Sequence, residues 1–138
     1  MSSTTSKPPD EIIVMLDENL SGKTIVSALK EKGVPVRAQT DYMERGVPDE
    51  TLLSLLAHER NVYLLTKDRD FRYKPSVKKA LLESKVGAFV ITATKNKTGV
   101  QLVEMISAAW PKIQRSIEKH KRPFVAKIMG DGSVELHE

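Results

Sequence analysis

Asp17, Asp68 and Asp70 stand just past two apolar runs, and acids in that position can do chemistry. The first run is Ile12-Ile13-Val14-Met15-Leu16, followed by Asp17-Glu18-Asn19. The second is Val62-Tyr63-Leu64-Leu65, followed by Thr66-Lys67-Asp68-Arg69-Asp70-Phe71. Both runs read as buried parallel strands. In an open α/β sheet, sites form in the crevice outside the carboxyl ends of the strands. If these two strands are neighbours, Asp17 and Asp68 converge there. Close carboxylates repel unless a proton or a cation sits between them. Mg²⁺ and Mn²⁺ take oxygen ligands and keep waters, and such a water can attack a phosphodiester. The pattern therefore points to a metal-dependent phosphodiesterase.

Asp49 and Glu50 add acids at a helix start between the two strands. Each acid also has a plainer role open to it. Asp17 can cap a helix after Asn19, and Asp68 can cap a turn at 69–72. Asp49 and Glu50 suit the positive end of a helix dipole. Singly, the plainer roles lead. Together they weaken, because independent helix starts rarely all place acids at one edge.

The elements that must position these groups alternate between strand and helix. After the strand at 12–16, Ser21 to Lys32 carries Ile25, Val26 and Leu29 on one face and stops at Gly33. Pro35 to Thr40 is a short strand. Gly46-Val47-Pro48-Asp49-Glu50 opens a helix with the stripe Leu52, Leu53, Leu55 and Leu56. After the strand at 62–65, Pro75 to Lys85 is a helix with Val77, Leu81 and Leu82 inward. Ala88 to Thr92 is a strand. Thr98 to His120 is the longest helix, opened by a Thr98/Gln101 capping box, and Pro111 predicts a kink or break in it. Phe124 to Met129 and Val134 to Leu136 form a hairpin about Gly130-Asp131-Gly132. Such alternation implies a mainly parallel sheet with helices on both faces.

The chain has 138 residues, 40% hydrophobic and 29% charged, which suits one globular domain over residues 11–138. Met1 to Asp10 is rich in Ser, Thr and Pro and reads as a flexible tail. It lacks the apolar core of a signal peptide, and no apolar stretch approaches bilayer length, so no membrane role is expected. Cysteine is absent, which excludes disulfides and thiolate zinc sites and suits a cytoplasmic location. Net charge is +4. Lys67 to Lys79 holds six basic residues against two acids, and Lys112 to Ile128 holds six against one. The rest of the chain is net negative. A basic band beside carboxylates is what a nuclease needs, since cations hold the phosphate backbone while acids hold the metal.

Three strings in order carry a resemblance: Leu16-Asp17-Glu18-Asn19-Leu20, Gly46-Val47-Pro48-Asp49-Glu50, and Leu65-Thr66-Lys67-Asp68-Arg69-Asp70-Phe71. The chain resembles the PIN-like nuclease superfamily, in particular its small stand-alone members. The match in order and spacing covers residues 12–71. Residues 72–138 match in architecture, with Arg122-Pro123-Phe124-Val125 and the Gly-rich hairpin also similar to that group. The resemblance implies a three-layer α/β/α fold and a Mg²⁺- or Mn²⁺-dependent site, usually acting on RNA. It implies Asp17 as primary metal ligand, Asp68 as the second strand-end acid, and Asp70 as the outer acid completing the metal set. Asp49 stands where the family's helix-borne acid falls, with Glu50 its rival. Thr66 would orient the site, and Asn19 would hold Asp17 or cap the next helix. Pro48 stands where Ser is common, which removes a side-chain cap. Lys67, Arg69, Arg72 and Lys74 would contact the nucleic-acid backbone. Many members are toxins of toxin–antitoxin pairs, so an antitoxin protein is an implied partner, and members often form homodimers. The helix at 98–120 has apolar surface enough for such an interface.

Other readings compete. A PIN-like protein without activity would keep the basic band, bind nucleic acid or regulate, and hold no metal. A phospho-acceptor receiver domain would use Glu18 and Lys95, but leaves Asp68 and Asp70 unexplained. His58, His120 and His137 lack ligand spacing. Trp110 reads as core. Among Tyr42, Tyr63 and Tyr73, Tyr73 is best placed to stack on a base.

Overall fold

The computed structural model describes residues 12–59, 61–68, 70–92 and 97–136, without the side chain of Arg72. The tail at 1–10, Arg69, Lys95 and His137 lie outside the described residues. The chain runs β1 (Ile13–Leu16), α1 (Lys23–Glu31), β2 (Val36–Ala38), α2 (Asp49–Leu56), β3 (Val62–Thr66), α3 (Pro75–Ser84), β4 (Gly87–Ile91), α4 (Gly99–Lys119), β5 (Phe124–Ile128) and β6 (Val134–Leu136). Short 3-10 turns at Glu18–Leu20, Gln39–Asp41 and Phe71–Tyr73 follow β1, β2 and β3. The sheet order is β2-β1-β3-β4-β5-β6. All neighbours are parallel except the closing β5–β6 hairpin.

Every residue of β3 and β4 is buried, which is why their sequences show no polar alternation. Alternate side chains feed two cores. Val14, Leu16, Tyr63, Leu65, Phe89 and Ile91 face α1 and α4, meeting Leu29, Val103, Ile106 and Ile113. Met15, Leu64, Ala88 and Val90 face α2 and α3, meeting Leu52, Leu53, Leu56, Val77 and Leu81. Trp110 packs partly buried against the first core. This is a three-layer α/β/α protein with a mainly parallel sheet and a C-terminal hairpin. Among the described residues, no helix is long and apolar enough to cross a membrane.

Two expectations about inward-facing leucines need correction. Leu55 is 38% exposed and Leu82 is 68% exposed. At 100° per residue, Leu55 lies about 110° and Leu82 about 150° round its helix from the centre of the buried stripe, and Ala80 takes the inward place expected of Leu82. Of the kink or break expected at Pro111, the break is absent: α4 runs on from Gly99 to Lys119. Pro111 is exposed, so water can reach the carbonyl that lacks its N–H partner. The capping box at Thr98 and Gln101 is present, with both bonds made. Gly33 follows α1 with φ +85, a conformation that suits glycine.

Gly87 begins β4 where two aromatic rings close over the backbone. A Cβ there would lie 2.7 Å from Tyr63 Cδ2 and 2.8 Å from Phe124 Cε2. Phe124 in turn meets Phe89 edge-on, with centroids 5.6 Å apart. These rings cannot retreat without disturbing a packed core. Gly87→Ala is expected to cost about 1–3 kcal/mol, read as a lower urea midpoint with an unchanged m-value.

Candidate functional site

The register of β1 against β3 builds the site. Ile13 pairs with Val62 and Leu16 with Leu65, so Asp17 and Thr66 come next to each other at the strand ends. The Asp17 N–H continues the ladder to the Leu65 carbonyl at 3.0 Å. By strand alternation both side chains fall on the α2/α3 side of the sheet. The Thr66 hydroxyl donates to Asp17 Oδ2. Asp17 Oδ1 accepts from the N–H groups of Asn19 at 3.1 Å and Leu20 at 3.2 Å. Asp17 thus caps the turn at Glu18–Leu20 while its carboxylate stays buried, 7% exposed. Burial pushes its pKa up. The Thr66 hydroxyl and the two backbone donors oppose that shift, and the charge of Asp49 adds to it.

Asp68 is held by its backbone. Its N–H donates to Thr66 Oγ1 at 3.1 Å, so one threonine ties both strand-end acids together. Asp68 Oδ1 accepts the Asp70 N–H at 3.0 Å. Phe71, 1% exposed, anchors the turn in the α2/α3 core. Asp49 arrives as the first residue of α2, behind Pro48, which offers no side-chain cap. Lys74 joins these two acids: its Nζ lies 2.6 Å from Asp68 Oδ2 and 3.4 Å from Asp49 Oδ2. The Asp68 contact raises the Lys74 pKa, so the ammonium stays charged.

The structure brings Asp17, Thr66, Asp68 and Asp49 to one edge. Asp70 lies exposed beside them and contributes its N–H. The exposed Asn19 likewise holds Asp17 through its backbone rather than its side chain. Lys74 reaches Asp49, whereas Glu50 forms no ion pair among the described residues. Lys67 is half-buried just past β3, and Tyr73 is 57% exposed. Arg72 falls in the turn at Phe71–Tyr73.

Two supports escape a reading of spacing alone. The buried Ser21 hydroxyl donates to the Asp17 carbonyl at 2.7 Å and accepts the Gln39 N–H at 3.1 Å. Glu18 accepts the Gly46 N–H at 2.9 Å, which ties the loop before α2 to the edge. Their sequence signal is adjacency to Asp17 and nothing more. Of the second basic segment, Lys112, Arg115 and Lys119 lie on α4, which covers the opposite face of the sheet.

Carboxylates and a hydroxyl are the hard oxygen donors that Mg²⁺ or Mn²⁺ takes. The Lys74 ammonium already plays the part of a cation between Asp49 and Asp68, so the donor chemistry fits. Among the described residues, however, no three acidic or histidine groups converge closely enough to hold an ion as they stand.

An α/β sheet with strand-end acids gathered at its carboxyl edge defines the class of protein. The family model described as a PIN like domain matches residues 12–93, and the chain belongs to that family. The match takes in β1 to β4 and all of Asp17, Asp49, Asp68 and Asp70. PIN-like domains are generally nucleases and usually use divalent metals. No curated protein and no solved structure gives a significant match.

Burial of Asp17 generates a stability prediction. An acid with a raised folded pKa weakens the fold as the pH climbs from its ordinary value, near 3.9, through the raised one. Asp17→Asn keeps the Oδ1 cap and removes the buried charge. Its Tm at pH 7 is expected to equal or exceed that of the parent, and the gap should narrow as the pH falls toward 4. A large loss of Tm at pH 7 would mark the carboxylate as a structural anchor.

Proposed function

We propose that the protein is a metal-dependent nuclease acting on single-stranded RNA, with Asp17, Asp49 and Asp68 as its working acids. The observation that carries this reading is the buried Asp17 carboxylate. It sits beside a like-charged acid at the expense of stability, as functional groups often do. Asp17, Asp68 and Asp49 would hold Mg²⁺ or Mn²⁺, with Asp70 at the rim. When bound, the ion would supply Lewis acidity and an activated water. The chain's own part is positional. Thr66 and two backbone donors fix Asp17, and Thr66 also fixes Asp68. Lys67 would meet phosphates, Lys74 would do so once an ion displaced it from Asp49 and Asp68, and Tyr73 would stack on a base. The family resemblance extends the proposal to a cytoplasmic toxin neutralised by an antitoxin, and to a homodimer.

One observation favours a second reading, an inactive nucleic-acid binder or regulator. Lys74 already balances Asp49 and Asp68, so these two acids have a cation without a metal.

Two experiments decide. Purified protein should cleave RNA in a mixed single-stranded RNA and DNA panel with Mn²⁺ or Mg²⁺, and not with EDTA or as Asp17→Asn. Intact substrates throughout, with salt-sensitive binding retained, would hand the protein to the second reading. Lys74→Met removes the competing ammonium. Its Mn²⁺-induced rise in Tm should set in at metal concentrations lower by on the order of tenfold. An unchanged titration would show that no ion enters between these acids.

A further inference from the structure

The basic segment on α4 has no place in the acidic edge, yet it builds a cleft of its own. Lys112, Arg115 and Lys119 follow one another at intervals of three and four residues. They therefore share one helix face over about 10 Å. With His120 they border a cleft of about 320 Å³ between α4 and β6. The β5–β6 register sets its floor. Val134 pairs with Ile128 and Leu136 with Ala126, on the α4 side, while Glu135 pairs with Lys127 and turns to the other face.

The charges and donors here are uneven. Asp131, in the preceding turn, accepts the Ser133 hydroxyl at 2.6 Å, and Lys112 helps hold its pKa low. Asp131 thus absorbs Ser133 and part of Lys112. Arg115 and Lys119 form no ion pair among the described residues. Ser116 lines the cleft at 9% exposure, and its hydroxyl has no hydrogen-bond partner among the described residues. A buried hydroxyl left without a partner calls for one.

A guanidinium, an ammonium and a hydroxyl facing one cleft are donors without an acceptor, and a phosphate supplies acceptor oxygens and charge together. We propose that this cleft is a second phosphate-binding site, on the face opposite the acidic edge, that takes the backbone of a nucleic-acid strand. The row of cations is longer than one phosphate needs, which favours a strand over a single anion. Its phosphate chemistry stands by itself. The choice of nucleic acid rests on the nuclease reading above.

The test is binding of a labelled 12-nucleotide RNA to the full chain in EDTA, followed by anisotropy across a salt series. Arg115→Gln/Lys119→Gln is expected to weaken binding about tenfold and to lower the salt slope by about 1.4, two phosphates' worth for a single strand. Ser116→Ala should weaken binding several-fold and leave the slope unchanged. The double variant should keep the parent's Tm, and Ser116→Ala should match or exceed it. RNA affinity and slope unchanged in the double variant would overturn the proposal. So would poly-glutamate binding as tightly through the same residues, which would mark an acidic-protein site. Inorganic phosphate or uridine monophosphate raising the Tm through Arg115 and Lys119, without any effect of these residues on RNA, would reassign the cleft to a free phosphate. If RNA binding depends on these residues while the metal panel shows no cleavage, the cleft stands and the nuclease reading falls.

Discussion

Keeping the Asp17 carboxylate from water costs folding free energy, and much of the architecture supplies what offsets that cost. Thr66 can reach Asp17 because β1 and β3 are adjacent, parallel and in register to their last residues. A one-residue slip would turn Asp17 toward α1 and α4 and separate it from Asp49. The two apolar cores make that slip prohibitive, since it would move every strand side chain of β1 to the wrong layer. Packing far from the edge therefore decides the geometry at the edge. The turn at Glu18–Leu20 completes it by aiming two N–H groups at one oxygen.

Ionic groups are arranged differently on the two faces of the sheet. On the α2/α3 side, acids from β1, β3 and α2 meet, and Lys74 is the cation that balances two of them. On the α4 side, cations gather around a cleft whose strand acid, Glu135, faces away.

Most of the fold was legible in the sequence. Unbroken apolar runs marked the buried strands, and a cap or glycine marked several helix ends. The PIN-like motifs foresaw the family. What the sequence hid depended on partners distant in the chain. Leu55 and Leu82 look as apolar as their neighbours, and only the layer beneath decides which leucine is buried. Pro111 reads as a breaker until the helix face it occupies is known. Linear counting put both basic segments beside the acids, but Lys112, Arg115 and Lys119 ride on α4, which packs on the other face. Lys74 could be named as a phosphate contact, but its bridge from Asp68 to Asp49 depends on where α2 begins. Ser21 gave no signal because its role is to hold backbone, which any small polar residue near a strand end can do.

The two outermost strands, β2 and β6, are three residues each, and each has a charged residue at its centre, Arg37 and Glu135. An open strand edge is a template on which further chains can grow, and brevity and charge blunt it. Arg37 is further occupied by Glu59, 3.5 Å away. Lateral fibre growth is thus discouraged at both margins, which suits a protein whose central strands are among the most aggregation-prone segments of its sequence. Any self-association compatible with this design would run through helices or loops instead of extending the sheet.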